Sequence, residues 1–337
     1  MQAFTRTGAA SGERAGVDVR LRRPSARLGN TPLHPRFATT VRRAIARHRP
    51  DVVLAHTPVP FPAEMAYRAA RRAGVPFVAT YHAGRLRGSS PLLDAMAAVD
   101  RATLERSMLA GSDRLIAVSP YVRDNALARQ RDRVSIVPPG VDHDRYSPNG
   151  VAKSAAGILF VGPLDRSYRW KGVDVLADAF ERVRRKRPDA TLTLVGRGDR
   201  HDEFQRRAAA DPAIVVKGRL SEAEIVHEYR KAAVLALPST TDAESFGMVL
   251  AEANACGTPV VASRVGGIPC FVRDGDNGWM ARPGDATDLA ARLLHVLDHP
   301  DEARILGAQG RRRVVAEHDW DALTRRTAAV LEDAVAG

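Results

Sequence analysis

The hydrophobic positions of this chain fall into short apolar runs separated by longer amphipathic stretches. In the second half the runs are residues 157–161, 191–195, 214–218, 233–237 and 260–262. Each has the length of a strand. Helical stretches stand between and after them, over residues 173–186, 222–231, 285–297, 300–317 and 320–334, with Pro300 at a first-turn position. The first half has the same rhythm. Residues 17–21 alternate as a strand should, and 51–55, 77–80, 114–118 and 134–137 are further strands. The helices here are 36–48, 63–72 and 91–109; in the first, Phe37, Val41 and Ile45 share one face while Arg42, Arg43 and Arg47 lie off it. Strand–helix alternation of this kind predicts an α/β fold built on parallel sheets. A chain of 337 residues is long enough for two domains. The polar, glycine-bearing stretch 147–156 marks the join, so the domains are expected at 1–148 and 149–318.

The most informative stretch is Ser239 to Gly257. A buried strand ends at Pro238, a polar loop follows, and a helix should begin near Phe246-Gly247. Gly257 and Pro259 stop that helix in the order expected of a C-terminus. Glu244 lies on the loop and Glu252 about two turns into the helix. A loop entering a helix at the carboxyl edge of a parallel sheet is a ligand-binding position, and the helix N-terminus favours an anion such as phosphate. Eight residues of ideal helix span ~12 Å, comparable with the reach from a sugar ring across a diphosphate to a ribose. Two glutamates at this spacing are by default two solvated side chains. The flanking Phe246-Gly247 and Gly257-Thr258-Pro259 favour a site instead.

From Glu244 to Ala262 the sequence resembles the Glu-x7-Glu signature of retaining glycosyltransferase family 4, Glu-Ser/Gly-Phe-Gly-x4-Glu-Ala-x-Ala-x-Gly-x-Pro-Val-Val-Ala. The resemblance extends over most of the chain. It implies a GT-B fold: two Rossmann-like domains facing across a cleft, the first binding the acceptor and the second a nucleotide sugar, with the helix at 319–337 crossing back to the first domain. It also implies hexosyl transfer to an acceptor hydroxyl with retention of configuration. In the family a strand, a Gly-rich loop and a helix precede the strand at 17–21. With 16 residues before it here, the expectation is a chain that starts inside that first helix, lacking the first strand and loop.

The resemblance assigns roles residue by residue. Lys171 would grip the donor diphosphate from the loop that starts at Gly162. Pro163 stands where the family often has an arginine, leaving Arg166 or Arg169 to substitute. Glu244 and the amides around Ser245, Phe246 and Gly247 would hold the sugar, and Glu252 the ribose. Gly266-Gly267 would let backbone approach the ligand, although the motif ends in Cys270 where the family has a glutamate. His82, at the end of a strand, would stand near the reaction centre; His56 has a similar placement and a weaker match. The 217–219 segment would border the base. A cationic clamp suits a leaving nucleoside diphosphate, whose charge grows as it departs. No protein nucleophile is evident, so front-face transfer is the expected route, the leaving phosphate taking the acceptor proton.

Composition narrows the alternatives. There is no metal-ligand spacing between Cys256 and Cys270, and no Gly-x-Gly-x-x-Gly fingerprint. The expectation is therefore no metal and no cofactor, the nucleotide sugar being a substrate. Two cysteines argue against a secreted disulfide scaffold, and no apolar run nears the ~18 residues of a membrane span. The cytoplasm is the default location. The first 150 residues hold 24 Arg against 12 Asp and Glu, and so carry the whole net charge of +12. An uneven excess of this kind points to an anionic partner: a membrane surface or a lipid-linked or phosphorylated acceptor. Nucleic acid is not expected, because the basic stretches lack interleaved aromatics. A non-catalytic sugar-nucleotide-binding protein and a GT-B epimerase or phosphorylase are the competing readings.

Overall fold

The apolar runs of the second half assemble into one six-stranded sheet, every pair of which is parallel. The computed structural model describes all residues except 1, 5–11, 15–16, 23, 29–30, 58, 83–94 and 96–97. Numbered in chain order, the strands of this sheet are β10 (Gly157–Val161), β11 (Thr191–Val195), β12 (Ile214–Lys217), β13 (Val234–Leu237), β14 (Val260–Ser263) and β15 (Gly278–Ala281). Their spatial order is β12-β11-β10-β13-β14-β15. Helices Val173–Lys186, Glu222–Lys231, Met248–Ala255, Ala286–Asp298 and Pro300–Glu317 connect or cover them. Phe160, Phe180, Tyr229 and Phe271 are among the largest side chains fully removed from solvent, each burial being worth ~1.5–3 kcal/mol.

The first half is described by itself. Strands β6 (Val53–Thr57), β7 (Phe77–Tyr81), β8 (Arg114–Ala117) and β9 (Val134–Ile136) form a parallel sheet in that order. Upstream, β1 (Gln2–Phe4) pairs parallel and β2 (Gly12–Arg14) antiparallel with β3 (Val17–Arg22), and β4 (Ala26–Leu28) pairs with β5 (Thr31–Leu33). The described residues before Val17 are thus strands rather than the end of a helix. Gly8, Gly12 and Gly16 oppose a helix there, since each costs about 1 kcal/mol relative to alanine. Helix Phe37–His48 buries Phe37, Val41 and Ile45, the face that the periodicity indicates. Of the long helix expected at 91–109, residues 91–94 and 96–97 lie outside the described residues; the others are helical, with a π-helical turn, Arg101–Glu105, continuing into Arg106–Gly111.

The chain divides into two compact units whose limits differ from 1–148 and 149–318. The first is Met1–Ala117, Leu127–Ile136 and Thr327–Gly337; the second is Val118–Ala126 and Val137–Arg326. Residues 137–148 belong to the second unit because its helices hold their backbone. The Val141 amide donates to the His318 carbonyl at 2.9 Å, and Arg311 donates to the carbonyls of His143 and Tyr146 at 2.6 and 2.7 Å. Residues 327–337 count with the first unit, where Asp333 pairs with Arg114.

Candidate functional site

In the second unit the chain winds outward from β10 to β12, then returns and winds the other way from β13 to β15. The order therefore reverses between β10 and β13, which is where an open parallel sheet binds its ligand, beyond the carboxyl ends of the strands. The loops leaving those two strands carry Lys171 and Glu244. The Lys171 ammonium donates to Glu244 Oε2 at 2.6 Å, and the two side chains are only 17% and 8% exposed. Ser239 Oγ donates to the same carboxylate oxygen at 3.1 Å. Lys171 also lies over the Trp170 ring, 4.6 Å from its centroid, a cation–π contact. The loop expected over 162–172 closes into a 3-10 helix, Arg166–Lys171. The Thr240 amide donates to the Trp170 carbonyl at 2.7 Å, tying the two loops together.

Backbone contacts set the Glu244 loop. The Gly267 amide donates to the Glu244 carbonyl at 2.7 Å. A side chain at Gly267 would begin 1.8 Å from the Ser245 carbonyl oxygen, and one at Gly266, which has φ +58°, 2.1 Å from that of Glu244. This glycine pair thus lets the backbone come close to the Glu244 loop. Ser119 Oγ donates to the Ser245 carbonyl at 2.8 Å. The Phe246 side chain turns inward, 5.5 Å from the Phe271 ring and 5.2 Å from His318. Phe246 is a core residue, and only its backbone faces the helix entry. Gly247, at φ +84°, precedes the helix Met248–Ala255, whose end no side chain caps. Glu252 is the fifth residue of that helix, so it stands little more than one turn in, not two.

Glu252 is half-buried, and its Oε2 accepts a hydrogen bond of 2.6 Å from the Tyr229 hydroxyl. Burial pushes its carboxyl above the ordinary range, while the Tyr229 bond acts in the opposite sense. Gly162 lies at the carboxyl end of β10, and its amide donates to the Val195 carbonyl at 3.0 Å. The Arg166 backbone is held by Asp199 at 2.8 Å while its side chain is exposed; Arg169 reaches Asp174 at 3.4 Å. Lys217 is committed to Glu228 at 2.7 Å.

His82 belongs to the first unit, just past the end of β7. Its Nε2 lies 2.6 Å from Nδ1 of His56, in the neighbouring β6, so one ring donates and the other accepts. Desolvation first, and the neighbouring His56 second, hold His82 down to about 4. His56 is lowered by desolvation as well. The pair is neutral near pH 7.

Comparison with known proteins accords with this geometry. Residues 3–145 match the profile described as Glycosyltransferase Family 4, and residues 155–299 the one described as Glycosyl transferases group 1. D-inositol 3-phosphate glycosyltransferase of Frankia alni is 34% identical over 320 residues, covering 86% of this chain and 76% of that protein. The chain belongs to glycosyltransferase family 4. The GDP-mannose-dependent alpha-(1-6)-phosphatidylinositol monomannoside mannosyltransferase of Mycolicibacterium smegmatis is 30% identical over 315 residues, 88% of this chain and 80% of that one. Among solved structures, sucrose-phosphate synthase from Thermosynechococcus elongatus superposes with a TM-score of 0.79 at 23% identity, over 99% of this chain and 89% of that chain. That likeness shows the fold, which is GT-B.

Within this family-4 glycosyltransferase the site also includes residues that sequence reasoning passed over. Ser239 was legible as the first polar residue after the β13 run. Tyr229 was not, because nothing in helix Glu222–Lys231 distinguishes a tyrosine that reaches Glu252 from one that merely fills the core. Trp170 stands beside Lys171 in sequence, and only the turn Arg166–Lys171 shows that the cation lies over its ring. Cys270 departs from the family's glutamate, and burial pushes its thiol up, away from nucleophilic character.

Proposed function

We propose that the enzyme moves a hexosyl group from a nucleoside-diphosphate sugar, bound at the reversal point of the second sheet, to a hydroxyl of a phosphorylated, lipid-linked acceptor. The Lys171–Glu244 pair carries this reading: a cation and a carboxylate held together beside a helix N-terminus, at the carboxyl edge of the sheet. Lys171 would turn to the departing diphosphate, where negative charge grows in the transition state. Glu244 would then accept from sugar hydroxyls, and Glu252 from the ribose. The amides around Ser245, Phe246 and Gly247 would hold the sugar, beside a helix start that suits the donor's phosphates. The sugar C1–O bond to phosphate breaks and a C1–O bond to the acceptor forms on the same face. The acceptor's proton passes to the leaving phosphate oxygen. The reading calls on no cofactor or metal; Lys171, with Arg166 or Arg169, would balance the diphosphate charge. His82 would orient the acceptor as a neutral imidazole.

Two observations support the acceptor class. One relative's name specifies an inositol phosphate and another's a phosphatidylinositol monomannoside. In the first unit, Arg42, Arg43 and Arg47 are exposed on the outer face of helix Phe37–His48. No helix among the described residues is long and apolar enough to cross a membrane, so contact with lipid would be peripheral. Incubation with UDP- and GDP-sugars against inositol phosphate and against phosphatidylinositol-type glycolipid, with product analysis, tests the reading. Transfer to either acceptor with the anomeric configuration kept is expected. Donor hydrolysis alone, or an inverted product, would refute it.

A further inference from the structure

The corner between helices Ala286–Asp298 and Pro300–Glu317 gathers donors that sugar transfer does not use. His295 and His299 are four residues apart, a spacing that places two side chains one above the other on a helix. Pro300 opens the next helix at once, and Glu302 in its first turn comes back to the same point. One ligand atom from each of His295, His299 and Glu302 lies within 4.8 Å of the other two. His295 Nε2 is 3.0 Å from Glu302 Oε2.

The orientation of His299 is decisive. Its Nδ1 lies 2.8 Å from the His295 carbonyl oxygen. A carbonyl can only accept, so Nδ1 carries the hydrogen, and in the neutral ring Nε2 carries the lone pair. An imidazole whose Nδ1–H is held by a backbone carbonyl is a ring whose tautomer is set for metal ligation through Nε2. His295 is fixed from two sides. The His299 ring centroid is 4.4 Å away, and Trp279 meets His295 edge-on at 5.2 Å. His295 and Glu302 are half-buried and His299 is exposed, so water can complete a coordination shell.

We propose that His295, His299 and Glu302 form a surface site for a divalent transition metal of the Zn²⁺ class. Two imidazoles and a carboxylate suit such ions and do not suit Ca²⁺ or Mg²⁺, which take oxygen ligands. Metal–ligand bonds of about 2.0–2.2 Å put neighbouring donors of one tetrahedral ion about 3.3–3.5 Å apart. The 3.0 Å between His295 and Glu302 is close to that value, and the donor of His299 lies within 4.8 Å of both. The ion would join the end of one helix to the start of the next, stabilising the second unit without entering the donor site.

The test uses the untagged full chain after dialysis against EDTA. Co²⁺ is titrated with visible absorption as the readout, Zn²⁺ by calorimetry, and thermal unfolding is followed with and without Zn²⁺. Binding of one ion per chain is expected, with a Kd below something on the order of 100 μM and a Zn²⁺-dependent rise in Tm, since an ion bound only by the folded state stabilises it. His299→Gln, at an exposed position, should weaken binding at least tenfold and abolish the rise. His295→Gln and Glu302→Gln should do the same. The absence of one-to-one binding, or binding that His299→Gln and Glu302→Gln leave unchanged, would overturn the proposal. In that case His295 and Glu302 form an ordinary hydrogen bond.

Discussion

The Lys171 ammonium and the Glu244 carboxylate, 73 residues apart in the chain, meet at 2.6 Å. With both side chains sheltered, each is the other's main charge partner, so neither is simply available to a ligand. Breaking a buried pair from one side leaves an uncompensated charge, at a cost of about 3–5 kcal/mol when burial is complete. Residual exposure of Lys171 reduces that to about 2–4 kcal/mol here. Lys171→Met is therefore expected to lower both stability and turnover. Lys171→Met with Glu244→Gln should recover most of the stability and none of the turnover. Denaturation curves and initial rates on the four proteins of the cycle check this; a double variant that recovers turnover would remove the pair from the chemistry.

Glu252 and Tyr229 make a second, separable test. Glu252→Gln keeps the shape and removes the charge, and should weaken nucleotide-sugar binding by about 1.5–3 kcal/mol if the carboxylate accepts from a ribose hydroxyl. Tyr229→Phe removes the 2.6 Å hydrogen bond to Glu252 and should cost about 1 kcal/mol of donor affinity. Because that bond opposes the effect of burial, its loss raises the Glu252 pKa further. The affinity deficit of Tyr229→Phe should therefore widen as pH falls. Calorimetry with the donor across pH reads both effects, and a pH-independent deficit for Tyr229→Phe would count against this role.

In the first unit, Glu64 is 3% exposed, and its Oε2 has no hydrogen-bond partner among the described residues. Burial, with Asp100 and Glu105 adding to it, raises its carboxyl from 4.5 to about 7. The folded protein thus binds more protons than the unfolded chain between these values. The stabilising contribution of the protonated group is complete below about 4.5 and is lost as pH rises through about 7. Glu64→Gln should stabilise the protein by about 2–3 kcal/mol near pH 8 and have little effect near pH 4. Urea denaturation of both proteins over this range measures the difference, and parallel pH profiles would contradict the assignment.

Arg42, Arg43 and Arg47 predict salt-sensitive docking on anionic lipid. A basic residue near such a surface contributes ~1 kcal/mol, falling off within a Debye length. Co-sedimentation with phosphatidylserine-containing vesicles should rise with anionic lipid, fall in high salt, and drop about tenfold or more when all three are changed to serine. A protein that stays in the supernatant with these vesicles at low salt has a soluble acceptor or reaches its lipid by other means.

Local pattern reached far into this fold. Apolar runs and amphipathic periods located the strands of both parallel sheets except β15, and helices Val173–Lys186, Glu222–Lys231 and Pro300–Glu317 to the residue. Helix His201–Ala210 escaped because it buries only Phe204 on an otherwise polar surface, and β15 because Gly278 and Trp279 break up its apolar run. The Glu-x7-Glu motif located the loop and the helix that carry Glu244 and Glu252, since its glycines and prolines fix turns within a few residues of where they stand.

What the sequence could not decide was adjacency. Strand order depends on which edges pair after the chain has crossed over the sheet, and no local period records that choice. Once β13 lies beside β10, Lys171 must meet Glu244, Ser239 must join them, and Gly267 must close on Ser245. Phe246 shows the same limit in one side chain. The motif assigned its amide to the sugar and said nothing of its ring, which packs against Phe271 and His318 in the core.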